Sequence, residues 1–129
     1  MACAAMGELA VVERCVAMLE GNEVDDEFVF VVGGESARSV LYRANHPYWL
    51  RVWGARGLLY AWDPVAVPAL AGAVTDESWR VREMVAKVVA KWRLDDAAGA
   101  VATLRGDAVP RVRAAAERAL RRLAVDAAN

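Results

Sequence analysis

The stretch Asp76–Trp92, "DESWRVREMVAKVVAKW", decides the fold. Val81, Val85, Val88 and Trp92 recur at spacings of three and four, which lays one apolar stripe along a helix. Stepping forward 31 residues from Trp79 brings "WRVREMVAKVV" onto "PRVRAAAERAL" at Pro110. Val81 then meets Val112, Arg82 meets Arg113, Val85 meets Ala116, Lys87 meets Arg118 and Val89 meets Leu120. Asp76 meets Asp107 upstream of the helix, and Leu70 meets Val101 in the helix before it. Stepping back by the same interval gives "YWLRVWGARGL", where Tyr48 meets Trp79, Arg51 meets Arg82, Ala55 meets Ala86 and Leu58 meets Val89. Asn45 falls where the two aspartates fall. Three registers agree without a gap, so the chain is a repeat.

Each unit reads as two helices. Asp63 and Pro64 suit an N-cap and a first helical position, and Pro68 predicts a bend one turn later. The turns "TDES" and "RGDAVP" separate the helices of their units. The expected pairs are 35–62, 63–93 and 94–124, preceded by a diverged pair in 1–34 and followed by a short tail, 125–129. In the diverged pair, 8–20 reads as helix, and "FVFVV" (28–32) as a short buried helix despite its strand propensity. A hairpin of this length cannot cover its own apolar faces, so neighbours must cover one another. The expected fold is therefore all-α, one domain of about four stacked hairpins.

The pattern D-x-x-W/P-x-V-R-x-x-A/V, clearest at "DESWRVREMVAKVV" and "DAVPRVRAAAERAL", resembles the HEAT and HEAT-like repeat family. That resemblance implies an α-solenoid whose second helices line a concave face. It also implies a scaffold or binding role rather than catalysis, in the style of short bacterial modules. A second, looser resemblance is to HEAT-like alkylpurine DNA glycosylases, carried by the five tryptophans and by "WRLDD" (Trp92, Asp95, Asp96). The periodicity makes Trp92 a core residue, and Asp95 or Asp96 the N-cap of the following helix.

Composition narrows the function classes. The 129 residues are 57% hydrophobic with a net charge of −1, and no run of about 18 uncharged apolar residues could span a membrane. The first residues lack the basic region of a signal peptide. Cys3 and Cys15 do not make a disulfide framework, so a reducing cytoplasm is the expected setting. With His46 they are too few for a standard Cys/His zinc site. His46 has no nucleophile nearby, Gly33-Gly34 is too short for a phosphate loop, and no carboxylate pair stands out. No enzyme, cofactor or metal is expected.

Charge is unevenly placed. Residues 1–35 hold eight acids against Arg14 alone, or −7, and the rest holds 15 basic against nine acidic residues, or +6. Outside the core stripe of the middle repeat, Arg80, Met84, Lys87 and Lys91 line one face. The next repeat places Arg111, Ala115, Arg118 and Arg122 there, and the preceding one Trp49, Trp53, Arg56 and Tyr60. The expected partner surface is Trp49, Tyr60, Arg80, Lys87, Lys91, Arg111, Arg118 and Arg122, suited to a protein or acidic peptide. Basic groups beside aromatics also suit nucleic acid, the alternative reading. The acidic turn Glu20, Glu23, Asp25, Asp26 and Glu27 offers a third use, attracting the basic end of another copy in head-to-tail self-association. Finally Asn45, Asp76 and Asp107 each stand six residues before Arg51, Arg82 and Arg113. This predicts a structural ladder of acceptor and guanidinium within or between units.

Overall fold

The computed structural model describes residues 7–21 and 48–128. Every regular element among them is helical. The expected short helix at 28–32 and the start of the pair 35–62, with Asn45 and His46, lie outside the described residues. The chain forms two compact units, Met1–Ala66 and Val67–Asn129.

In the first unit, α1 (Glu8–Leu19) packs against α2 (Tyr48–Gly57). Val11, Val12, Cys15, Met18 and Leu19 are buried from α1, and Val52, Trp53 and Ala55 from α2. Gly54 sets how closely they approach. A Cβ there would lie 2.6 Å from the Cys15 carbonyl oxygen, 2.7 Å from the Leu19 nitrogen and 2.8 Å from the Met18 Cβ. Backbone meets backbone at this crossing, and only glycine permits it. Gly21, at φ 83°, turns the chain away after α1, and its N–H donates to the Met18 carbonyl. After Gly57 the chain tightens into successive turns in which Leu58, Leu59 and Tyr60 N–H groups donate three residues back. The expected helix to residue 62 is thus shorter, with Tyr60 beyond its end. The Trp62 N–H closes the unit onto the Glu8 carboxylate at 3.2 Å.

Asp63 caps as the sequence implies, its carboxylate accepting from Val65 N–H at 2.9 Å. A 3₁₀ turn, Pro64–Ala66, follows. The second unit then begins with α3 (Val67–Ala73). The helix expected from Pro64 is split at this point. Pro68 has no N–H to return to the Pro64 carbonyl, so the first turn winds tightly and the α geometry starts afterwards. Next comes α4 (Trp79–Trp92), ended by Arg93 in the left-handed region, with Arg93 and Leu94 N–H groups donating to the Val89 carbonyl. The helix expected over 95–105 is instead a 3₁₀ turn, a short α5 (Ala98–Ala102) and a second 3₁₀ turn, Thr103–Gly106. Leu94, rather than Asp95 or Asp96, holds the N-cap position, and the two aspartates sit exposed in the first turn, where their charge favours the helix dipole. The long α6, Pro110–Ala128, closes the unit.

The packing of α4 against α6 forms the core of the second unit. Val81, Val85, Ala86, Val88 and Val89 from α4 and Val112, Ala115, Ala116, Ala119 and Leu123 from α6 are buried. Each buried valine contributes roughly 1.5–2 kcal/mol of apolar transfer, while the alanines let the helices close up. On the side of α4 where Ala86 and Val89 are buried, the equivalent residues of α6 are Glu117 and Leu120, both half-buried. Glu117 is bonded to Arg105 at 2.9 Å, which makes that face of α6 more polar than its counterpart on α4.

Candidate interaction surface

Two elements position the surface, and a ladder of arginines fixes their register. Asp76 and Asp107 each fold their turn by accepting, at the carboxylate, the N–H two residues on: Ser78 at 2.8 Å and Val109 at 2.9 Å. This is an Asx turn, which places the start of α4 and of α6. Arg82 then reaches back to the Asp76 carbonyl at 2.7 Å, and Arg113 makes the equivalent bond to the Asp107 carbonyl at 2.6 Å. Within a repeat the arginine therefore takes the backbone oxygen. Its remaining donors cross to the next repeat, where Arg82 Nε and Nη2 grip the Asp107 carboxylate at 2.7 and 3.2 Å. Both side chains are largely buried, and the forked geometry makes the contact directional as well as strong. The Arg82 hydrogen bond holds the Asp107 carboxyl below its ordinary value of 3.8. Burial pushes the other way, while the Val109 N–H and the charges of Arg82 and Arg113 reinforce the lowering. In the first unit Arg51 stands half-buried on the first turn of α2, and its turn partner Asn45 lies outside the described residues.

Beside the ladder, Glu83 is buried to 6% exposure. Its carboxylate accepts Arg111 Nε at 3.0 Å and Nη2 at 3.3 Å, and stands 3.8 Å from the Lys87 ammonium. The Arg111 guanidinium also lies 5.2 Å from the Trp79 ring centre, and that of Arg80 4.6 Å from the same ring. Such contacts contribute about 0.5–1 kcal/mol each at exposed sites. Glu83 and Trp79 thus gather Arg80, Lys87 and Arg111 into one cluster across the two helices. Lys91 continues the α4 stripe, its ammonium 5.5 Å from the Trp92 ring. Arg118 and Arg122 continue the α6 stripe, both exposed. Ala115, expected on that outer stripe, is instead buried at 2%, so the α6 ridge has a gap between Arg111 and Arg118. Sequence reasoning missed Glu83 and Trp79. The signal was present: Glu83 stands one turn before Lys87 and next to the repeated arginine, on the flank of α4 that faces the following repeat.

The aromatic residues belong to the first unit. Trp49 is half-buried, its ring 5.3 Å from that of Tyr48 and 6.1 Å from that of Trp53. Trp53 is buried at 2% and serves the core. Tyr60 is 69% exposed, in the turn after α2. The line Trp49–Trp53–Arg56–Tyr60 is accordingly not one helical face, because the helix stops at Gly57 and Trp53 turns inward.

Among the described residues no group of His, Cys, Asp and Glu could hold a metal, and no helix is long and apolar enough to cross a membrane. The family model for HEAT repeats matches residues 37–121, about two thirds of the chain. The chain belongs to the HEAT-repeat family. No curated protein and no solved structure matches it. HEAT repeats are commonly protein-interaction scaffolds and generally not enzymes. The residues that prompted the glycosylase comparison have local explanations: half-buried Trp92 carries Lys91, and Asp95 and Asp96 open a 3₁₀ turn.

Proposed function

We propose that this HEAT-repeat chain is a non-catalytic interaction module that holds a protein partner, or an acidic peptide within one, on its second-helix surface. The observation that supports the reading most is the cluster shared by α4 and α6. Six cations, Arg80, Lys87, Lys91, Arg111, Arg118 and Arg122, follow two neighbouring stripes, and Glu83 joins two of them, Arg111 and Lys87. Glu83 holds Arg111 in place rather than cancelling the ridge, so part of the ordering entropy of binding is already met. Trp49 and Tyr60 are proposed as further contacts on the first unit, since an aromatic anchor adds area at low conformational cost. A cytoplasmic setting is part of the proposal, since two cysteines do not make a disulfide framework.

The test is affinity capture from native lysate with the wild-type chain and a Lys87→Glu/Arg118→Glu/Arg122→Glu variant, each with and without nuclease. The reading predicts a protein captured by the wild type in both nuclease arms and lost by the variant, with circular dichroism unchanged. Undiminished capture by the folded variant contradicts it. Loss of all capture after nuclease replaces it with the nucleic-acid reading, whose affinity falls linearly in log–log form with salt.

A further inference from the structure

The arginine ladder is unfinished on α6. Arg82 bonds the carbonyl of its own turn through Nη1 and grips the next repeat's Asp107 with Nε and Nη2. Arg113 makes only the first of these contacts, from Nη1 to the Asp107 carbonyl. Its Nε and Nη2 donors meet no acceptor among the described residues. The residues beside it are open in the same way. Helical spacing sets Ala86, Val89 and Ala90 on the side of α4 that carries Arg82 and Glu83, the side that meets the repeat of α6. There Glu83, Ala86 and Val89 are buried and Ala90 half-buried. One repeat on, Ala114 and Arg121 are exposed, and Glu117 and Leu120 half-buried. No described helix of the second unit takes, on α6, the place that α6 takes on α4.

The packing inside the second unit defines what fits such a flank. On α4 the occupant is a helix led by an Asx turn. Oδ1 of Asp107 accepts the Val109 N–H, which holds the carboxylate at the helix start, and both its oxygens take the Arg82 fork. An asparagine there offers one acceptor oxygen and turns donors of its own toward the guanidinium. The flank of α6 presents Arg113 and Arg121, and its one acid, Glu117, is bonded to Arg105. A carboxylate is therefore the missing charge. We propose that the flank of α6 bearing Arg113, Ala114, Leu120 and Arg121 docks the edge of a helical repeat in a partner protein, with an Asx-turn aspartate of that repeat completing the Arg113 fork. This surface lies beside the basic ridge and shares none of its residues, so each reading can fail alone.

The probe is a fluorescein-labelled peptide of residues 94–124, the repeat that α4 already accepts, titrated with full-length chain at physiological salt. With six arginines against four acids, net charge does not draw it to a basic flank. Anisotropy is compared for the wild-type chain and Arg113→Ala, each with the peptide and with its Asp107→Asn form. The wild-type pair is expected to bind. Either change should weaken binding by about tenfold or more, the worth of one charge-assisted bond, and both together little further. Binding that ignores Arg113→Ala overturns the inference, since a peptide displacing the chain's own repeat depends on Arg82 instead. Circular dichroism confirms that the Arg113→Ala chain is folded. Where the peptide does not bind up to near-millimolar chain, the same repeat inserted between Ala124 and Val125 decides, because the tether raises its effective concentration. In that longer chain Arg113→Ala is expected to lower the urea midpoint by more than it does in the parent; equal shifts overturn the inference.

Discussion

Substituting Gly54 by alanine sets two effects against each other. In an exposed helix the change would stabilise by about 1 kcal/mol, because alanine loses less backbone freedom on folding. At the crossing of α1 and α2 the new Cβ would meet the Cys15 oxygen at 2.6 Å, the Leu19 nitrogen at 2.7 Å and the Met18 Cβ at 2.8 Å. Ordinary contact begins at 3.4 Å, so the helices must part by roughly 0.6–0.8 Å. A gap of that size forfeits about a quarter to a half of the dispersion attraction for each facing atom pair. The opposing atoms at the two shortest contacts are backbone, which cannot swing aside. The overpacking cost is then at the top of its usual range, about 3 kcal/mol, and the net destabilisation about 2 kcal/mol. That lowers Tm by roughly 6–10 °C. The assay is urea unfolding followed by far-ultraviolet circular dichroism and by tryptophan emission, since Trp49 and Trp53 lie on α2. Gly72→Ala is the control: nothing lies within 4 Å of its Cβ position, and a gain of about 0.5 kcal/mol is expected. Equal effects at the two glycines would refute the close approach of α1 and α2.

Three further outcomes are expected. Asp107→Asn should flatten the acid limb of the stability profile. A carboxyl lowered from 3.8 contributes stability that is complete above that unfolded value and is lost as pH falls through the lower folded one, so urea midpoints of the two proteins should converge in strong acid; parallel profiles would count against the Arg82 contact. Arg82→Ala and Arg113→Ala are the same substitution at equivalent positions. The first removes a forked, largely buried contact between repeats and should cost about 2–4 kcal/mol. The second removes a bond to one carbonyl from an exposed side chain and should cost about 1 kcal/mol or less; denaturant titration ranks them. Glu83→Gln keeps the volume but releases the charge that holds Arg111 and Lys87. A stability loss of about 1 kcal/mol is expected, with a change in Trp79 emission as Arg111 leaves the ring; an unaltered emission spectrum would argue that Glu83 does not position it.

The repeat, the all-helical class and the family were legible because each is written in periodicity. The spacing of Val81, Val85 and Val88 and the step to Val112 and Ala116 are backbone properties that local sequence carries. The boundaries were harder. Gly57, Pro68 and the run Asp95–Gly106 shorten or split helices through losses of backbone bonding that an apolar count does not register. The surface was legible as a set of residue types at matching places, and its wiring was not. Whether Arg82 bonds the Asp76 carboxylate or carbonyl depends on the Asx turn, which commits the carboxylate to Ser78 first. Glu83 went unnoticed because its partner Arg111 comes from the next repeat, at a 28-residue separation that the 31-residue step does not reveal. Tyr60 left the aromatic line for a similar reason, since the helix stopped before reaching it.

The claim on which the account rests is that adjacent repeats are locked in register by the arginine of one and the aspartate of the next. A double-mutant cycle on Arg82→Ala and Asp107→Ala measures this directly through the unfolding free energies of the wild type, both single variants and the double variant. The account predicts a coupling of about 1.5–3 kcal/mol, with the double variant much less damaged than the sum of the singles. Additivity to within about 0.5 kcal/mol would contradict it.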